Sequence, residues 1–78
     1  MKTMNIFLGS IQNVKDFVNE TLKVDCDIDI IAGRYIIDAK SILGIFSVDL
    51  SKPVELRISA DDEEADKVIE LLKRFEAK

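Results

Sequence analysis

The chain has 78 residues, a formal net charge of −4 and a pI near 4.7, with one cysteine and no histidine. That length permits one domain, residues 1–78, able to bury about 60–65% of its unfolded surface, and excludes a second. The 11 lysines and arginines form no dense stripe, which excludes the electrostatics of nucleic-acid or anionic-membrane binding and leaves proteins as the expected partners.

Met4-Asn5-Ile6-Phe7-Leu8 is a short apolar run that predicts a buried strand, ended by Gly9. Ser10 stands in the N-cap position of a helix over residues 11 to 23. In that helix Ile11, Val14, Val18, Thr21 and Leu22 recur at helical spacing and Phe17 widens the apolar face. From Asp25 the period becomes two: Cys26, Ile28 and Ile30 point one way, and Asp25, Asp27 and Asp29 the other. This predicts an antiparallel strand with one wet face, followed by a turn at Ala32-Gly33 and a return strand over residues 34 to 38.

Residues 40 to 48 have the spacing of a short helix, which Gly44 weakens by about 1 kcal/mol relative to alanine. Pro53 opens a strand in which Val54, Leu56 and Ile58 alternate with Glu55, Arg57 and Ser59. Asp61 followed by Glu64 predicts a capping box for the last helix, with Asp62 and Glu63 complementing the positive helix start. Ala65, Val68, Ile69, Leu72 and Phe75 form its buried stripe. Lys73, Arg74 and Lys78 fall at the favourable end of its dipole. The order β-α-β-β-α-β-α, with one apolar face per element, implies an α+β open-faced sandwich in which three helices cover one side of a four-stranded antiparallel sheet.

The chemistry-bearing residues are sparse. Cys26 alternates with Ile28 and Ile30, which predicts a buried small hydrophobe, and with no histidine to activate it the thiol is not a nucleophile. Asp25, Asp27 and Asp29 share a strand face at about 6.8 Å per pair, too far apart to chelate one ion without other ligands. No glycine-rich phosphate loop, zinc constellation or catalytic triad is present, so the expectation is a protein with no cofactor, no metal and no enzymatic activity. The first five residues lack the apolar run of a secretory signal and no stretch is long enough to span a bilayer, so a cytoplasmic location is expected.

Asp38-Ala39-Lys40-Ser41-Ile42-Leu43-Gly44-Ile45-Phe46-Ser47 resembles the short second helix of HPr, the phosphocarrier of the bacterial sugar phosphotransferase system. In that family a Lys-Ser-Ile-Met-Gly-type stretch carries a regulatory serine, matched here by Ser41. The order of elements matches over essentially the whole chain, and residue similarity is concentrated in residues 33 to 56, with Asp27-Ile28-Asp29 before them. The resemblance implies the HPr-like fold.

The same family moves phosphate on a histidine in a Gly-Ile-His-Ala-Arg-Pro-type motif ahead of its first helix. A gapless match places Ser10 under that histidine and Gln12 under the arginine. A serine phosphate is a stable ester, whereas phosphohistidine is a high-energy phosphoramidate. The expectation is therefore a regulatory or interaction module that does not carry phosphate. Ser10 also reads as a plain helix N-cap.

The resemblance further implies Ser41 as a regulatory phosphorylation candidate. In HPr and in its histidine-less relative, the catabolite-repression HPr homologue, a dedicated serine kinase modifies this position and the product binds a transcriptional regulator. A phosphate there would meet the free N–H groups of a helix start, with Lys40 adjacent. An unmodified helix-start serine fits the residues as well. The resemblance implies Gln12, Lys40, Ile42, Leu43 and Phe46 as docking residues for phosphotransferase-system proteins. Helical spacing does not place Ile42, Leu43, Ile45 and Phe46 on one buried face, so some apolar surface is expected outside; Phe46 itself fits burial and exposure equally. Three functions remain open: a non-carrying regulatory module, a Ser41-phosphorylated regulator of carbon catabolite control, and phosphate transfer on an unconventional residue. The oligomeric state is also open.

Overall fold

Strands β1 (Lys2–Ile6), β2 (Asp27–Ala32), β3 (Tyr35–Asp38) and β4 (Val54–Ser59) form one antiparallel sheet in the order β1-β4-β2-β3. Helices α1 (Ile11–Thr21), α2 (Ile42–Ile45) and α3 (Asp62–Leu71) cover one face, and a 3₁₀ turn at Lys73–Phe75 continues the last. The computed structural model describes residues 1 to 77, so Lys78 lies outside the described residues.

The sheet sorts its residues by the period of two. Ile28 pairs with Ile58 and Ile30 with Leu56 on the covered face, while Asp29 pairs with Arg57 on the open one. Met4 and Ile6 of β1 extend the covered face, and Val14, Phe17, Ile45, Ala65, Val68, Leu72 and Phe75 close over it. Each fully buried large side chain contributes about 1.5–3 kcal/mol relative to exposure. The Phe17 and Phe75 rings meet edge to face at 5.4 Å, joining α1 to the end of the chain.

Several boundaries differ from the sequence expectation for physical reasons. β1 occupies Lys2–Ile6 and not residues 4 to 8, because its ladder with β4 runs from Lys2↔Ile58 to Ile6↔Val54. Beyond it the Phe7 N–H donates to the Phe75 carbonyl at 2.8 Å, and Leu8 is buried without being in a strand. α1 ends at Thr21, and Ile11 and Leu22 are exposed. At 3.6 residues per turn both lie about 70–90° from the centre of the stripe made by Val14, Phe17, Val18 and Thr21.

The hairpin turn is Gly33-Arg34, one residue later than expected, since Ala32 still pairs with Tyr35. Gly33 takes a φ of +62° and Arg34 does not, the sign pattern of a type II′ turn. Cys26 precedes β2 and is half-buried, not buried. The second helix is confined to Ile42–Ile45, shorter than residues 40 to 48. In the last helix Asp61 accepts from the Glu64 N–H at 2.9 Å, and among the described residues this is the half of the capping box that forms.

Candidate functional site

The start of α1 is built by a turn and a cap. Gly9 has a φ of +73°, and a Cβ there would stand 2.7 Å from the Phe7 ring, so the position needs glycine on both counts. The Gly9 N–H donates to the Leu50 carbonyl at 3.1 Å, which ties the approach to α1 to the segment that follows α2. Ser10 is exposed in extended backbone, and its Oγ accepts the Asn13 N–H at 3.1 Å. Asn13 in turn donates through Nδ2 to the Leu8 carbonyl at 2.6 Å, holding the turn closed from the other side. Ser10 is thus a working N-cap. Gln12 is exposed and donates through Nε2 to Asp16 at 3.0 Å, one helical turn on. Arg74 also reaches Asp16, at 3.1 Å, and lies over the Phe75 ring at 4.6 Å.

The second half of the site is α2. Asp38 begins it with a tight turn: its carboxylate accepts the Lys40 N–H at 2.9 Å and its carbonyl the Ser41 N–H at 3.0 Å. Ser41 is exposed and caps the helix, its Oγ accepting the Gly44 N–H at 3.2 Å. Lys40 Nζ donates to the Val24 carbonyl at 2.7 Å, in the middle of the α1–β2 connection. The helix is anchored by Ile45, which is fully buried, and by half-buried Ile42; Leu43 is 81% exposed and Phe46 39%. Phe46 therefore sits outside the core. The next turn is fixed by Asp49, whose carboxylate accepts from the N–H and hydroxyl of Ser51; those bonds hold its carboxyl below the usual range.

α1 and α2 contact each other, so Ser10, Gln12, Ser41, Leu43 and Phe46 lie on two adjoining helices. Sequence reasoning assigned no docking role to Phe7 and Ile11, which are exposed beside Ser10. The signal for Ile11 is its angular distance from the Val14 stripe. No arrangement of His, Cys, Asp and Glu able to hold a metal occurs among the described residues. Burial, followed by the negative charge of Glu64, pushes the Cys26 thiol above its ordinary range. No helix among the described residues is long and apolar enough to cross a membrane.

A family model described as "PTS HPr component phosphorylation site" matches residues 12 to 77, beginning two residues after Ser10. The chain is similar to the solved structure of HPr-C-His from Thermoanaerobacter tengcongensis, with 30% identity over 92% of this chain and 90% of that one and a TM-score of 0.72. It is similar in fold to the histidine-containing phosphocarrier protein of a mycoplasma, at 17% identity over 95% of this chain and 90% of that one, with a TM-score of 0.75. No curated protein sequence gives a significant match. The matched span, the β1-β4-β2-β3 sheet and the Ser41-capped second helix together show that the chain belongs to the HPr family of the phosphotransferase system.

Proposed function

We propose that this protein is a regulatory or protein-interaction module of the phosphotransferase system that does not carry phosphate. The observation that supports this reading is Ser10: the position matching the family's phosphohistidine holds a helix N-cap engaged with the Asn13 N–H, in a chain with no histidine. An ester at Ser10 would retain phosphate where a phosphoramidate hands it on. Function then rests on protein contacts made by the Ser10 and Gln12 end of α1 and by Ile42, Leu43 and Phe46 of α2, with phosphotransferase-system proteins in the cytoplasm as partners. Exposed Leu43 on the four-residue helix and exposed Phe46 at its C-cap supply the apolar contact area that such docking needs.

The test is incubation of the purified protein with radiolabelled phosphoenolpyruvate and the general phosphotransferase enzyme. No transferable label is expected. Label that appears and passes to a downstream acceptor overturns the reading and favours phosphate transfer on an unconventional residue.

A second reading, regulation through Ser41, has its own observation: the hydroxyl is exposed and already faces the helix-start N–H of Gly44. A phosphate there keeps that acceptor geometry. Label from ATP and HPr kinase that disappears in Ser41→Ala would make the protein a Ser41-phosphorylated regulator of carbon catabolite control.

A further inference from the structure

The two edges of the sheet are finished differently. Along β1 the C-terminal segment covers the edge: Ile6 bridges to Glu76, the Phe7 N–H donates to the Phe75 carbonyl, and the Ala77 N–H donates to the Asn5 carbonyl. Along β3 nothing among the described residues does so. The strand reads Tyr-Ile-Ile-Asp, with no proline or lysine to blunt it, and Tyr35 and Ile36 are 67% and 62% exposed. Ala32↔Tyr35 closes a two-residue loop and exchanges hydrogen bonds, so by alternation Tyr35 and Ile37 bond inward to β2. The N–H and C=O of Ile36, the N–H of Asp38 and the C=O of Arg34 then face outward.

We infer that β3 pairs antiparallel with β3 of a second copy of this chain, about a two-fold axis at Ile36, joining two sheets into one. The register follows from the two faces. A two-fold axis normal to the sheet keeps open face with open face only when the paired residue numbers sum to an even number. Centring on Ile36 sets Ile36 opposite its own equivalent, Tyr35 opposite Ile37, and Arg34 opposite Asp38. Four main-chain hydrogen bonds result: two between the Ile36 residues, and one from each Asp38 N–H to the Arg34 carbonyl of the other copy.

Charge selects this partner. Asp38 lies directly opposite Asp29 in the hairpin, a like-charge cross-strand pair, and Asp29 has its own cation, Arg57, at 3.6 Å on the far side. The row across the open face therefore runs Arg57, Asp29, Asp38 and then stops at an edge where the Asp38 carboxylate accepts the Lys40 N–H but meets no cation among the described residues. Arg34 of the second copy arrives beside that acid, and within its own chain Arg34 makes no ion pair among the described residues. A four-residue strand buries less than the roughly 1,200 Å² of a standard stable interface, so the pairing is weak and concentration-dependent.

Sedimentation equilibrium of the full chain up to about 1 mM, the concentration at which a millimolar contact half-forms, tests this. The weight-average mass is expected to climb toward twice the monomer value. Ile36→Lys and Arg34→Asp should each weaken association at least about tenfold with the melting transition retained, since both positions are exposed. Mixing Arg34→Asp with Asp38→Arg should restore association, because every cross-strand charge pair is then opposite again. A protein that stays monomeric at the highest concentration overturns the inference. So does association that Ile36→Lys and Arg34→Asp leave intact, and loss of it in Leu43→Asp instead would place the contact on α2.

Discussion

Gly44 packs directly against Ile37: a Cβ added at Gly44 would stand 2.8 Å from Ile37 Cγ2 and 3.1 Å from Ser41 Oγ. The glycine that weakens α2 as a helix is thus what lets α2 lie against β3. Gly44→Ala would gain up to about 1 kcal/mol of helix propensity, but overpacking a stiff β-branched neighbour costs about 1–3 kcal/mol. A net destabilisation of about 1 kcal/mol is expected from urea unfolding, and it should shrink when Gly44→Ala is made in an Ile37→Ala background. Equal stability of Gly44→Ala and wild type would show that Ile37 yields freely.

Thr21 is fully buried, and its hydroxyl lies within hydrogen-bond reach of the Val18 carbonyl at 2.9 Å and the Ala39 carbonyl at 3.2 Å. The second contact spans from α1 to Ala39, inside the turn that leads into α2. Thr21→Val keeps the shape and removes the donor, so unfolding free energy should fall by about 1–2 kcal/mol. A neutral Thr21→Val would mean the Ala39 carbonyl is satisfied without the hydroxyl.

Ser10 caps α1 whatever else it does. Ser10→Ala should cost about 1 kcal/mol, read from the denaturation midpoint, while Ser10→Asp preserves the cap. A stability unchanged by Ser10→Ala would detach Ser10 from the helix and strengthen the case for a free functional hydroxyl.

Leu43 is exposed and belongs to the proposed docking surface. Leu43→Asp should change stability by no more than about 0.5 kcal/mol while abolishing binding to the general phosphotransferase enzyme, followed by calorimetric titration. Loss of the fold would place the side chain in the core; retained binding would move docking away from α2.

For Cys26 the sign of the pH effect is determined by burial, with Glu64 adding to it. The folded thiol titrates above the ordinary thiol range, so the thiolate is scarce at neutral pH. Alkylation of the native protein at pH 7 should be slower than in urea. The stabilisation this shift represents is complete below the unfolded thiol pKa and is lost as pH rises through the folded value. Native alkylation as fast as the unfolded control would show an accessible, unshifted thiol.

Local patterning made most of the fold legible. Alternation identifies β2 and β4, the Asp61 cap and the Ala65-to-Phe75 stripe identify α3, Ser10 marks the start of α1, and the resemblance of residues 38 to 47 to the second HPr helix puts Ser41 at the start of α2. Several of the differences share a cause: Ile11, Leu22 and Cys26 have the spacing of core residues, yet they sit at the ends of their elements, where periodicity continues but the opposing layer covers Cys26 only in part and leaves Ile11 and Leu22 exposed. Lys40 is adjacent to Ser41 in sequence, but a flexible four-carbon stem lets its ammonium settle on the Val24 carbonyl.

Element order, helix caps and the lack of any histidine are legible along the chain, because they depend on covalent identity and on interactions within a few residues. Strand order, with β1 beside β4 and β3 left at an open edge, comes from packing between elements. So do the meeting of Gly44 with Ile37, the facing of Asp38 and Asp29, and the position of Phe46 outside the core. Each of these is a distance between residues on different elements, set by how the layers pack, and no local pattern encodes it.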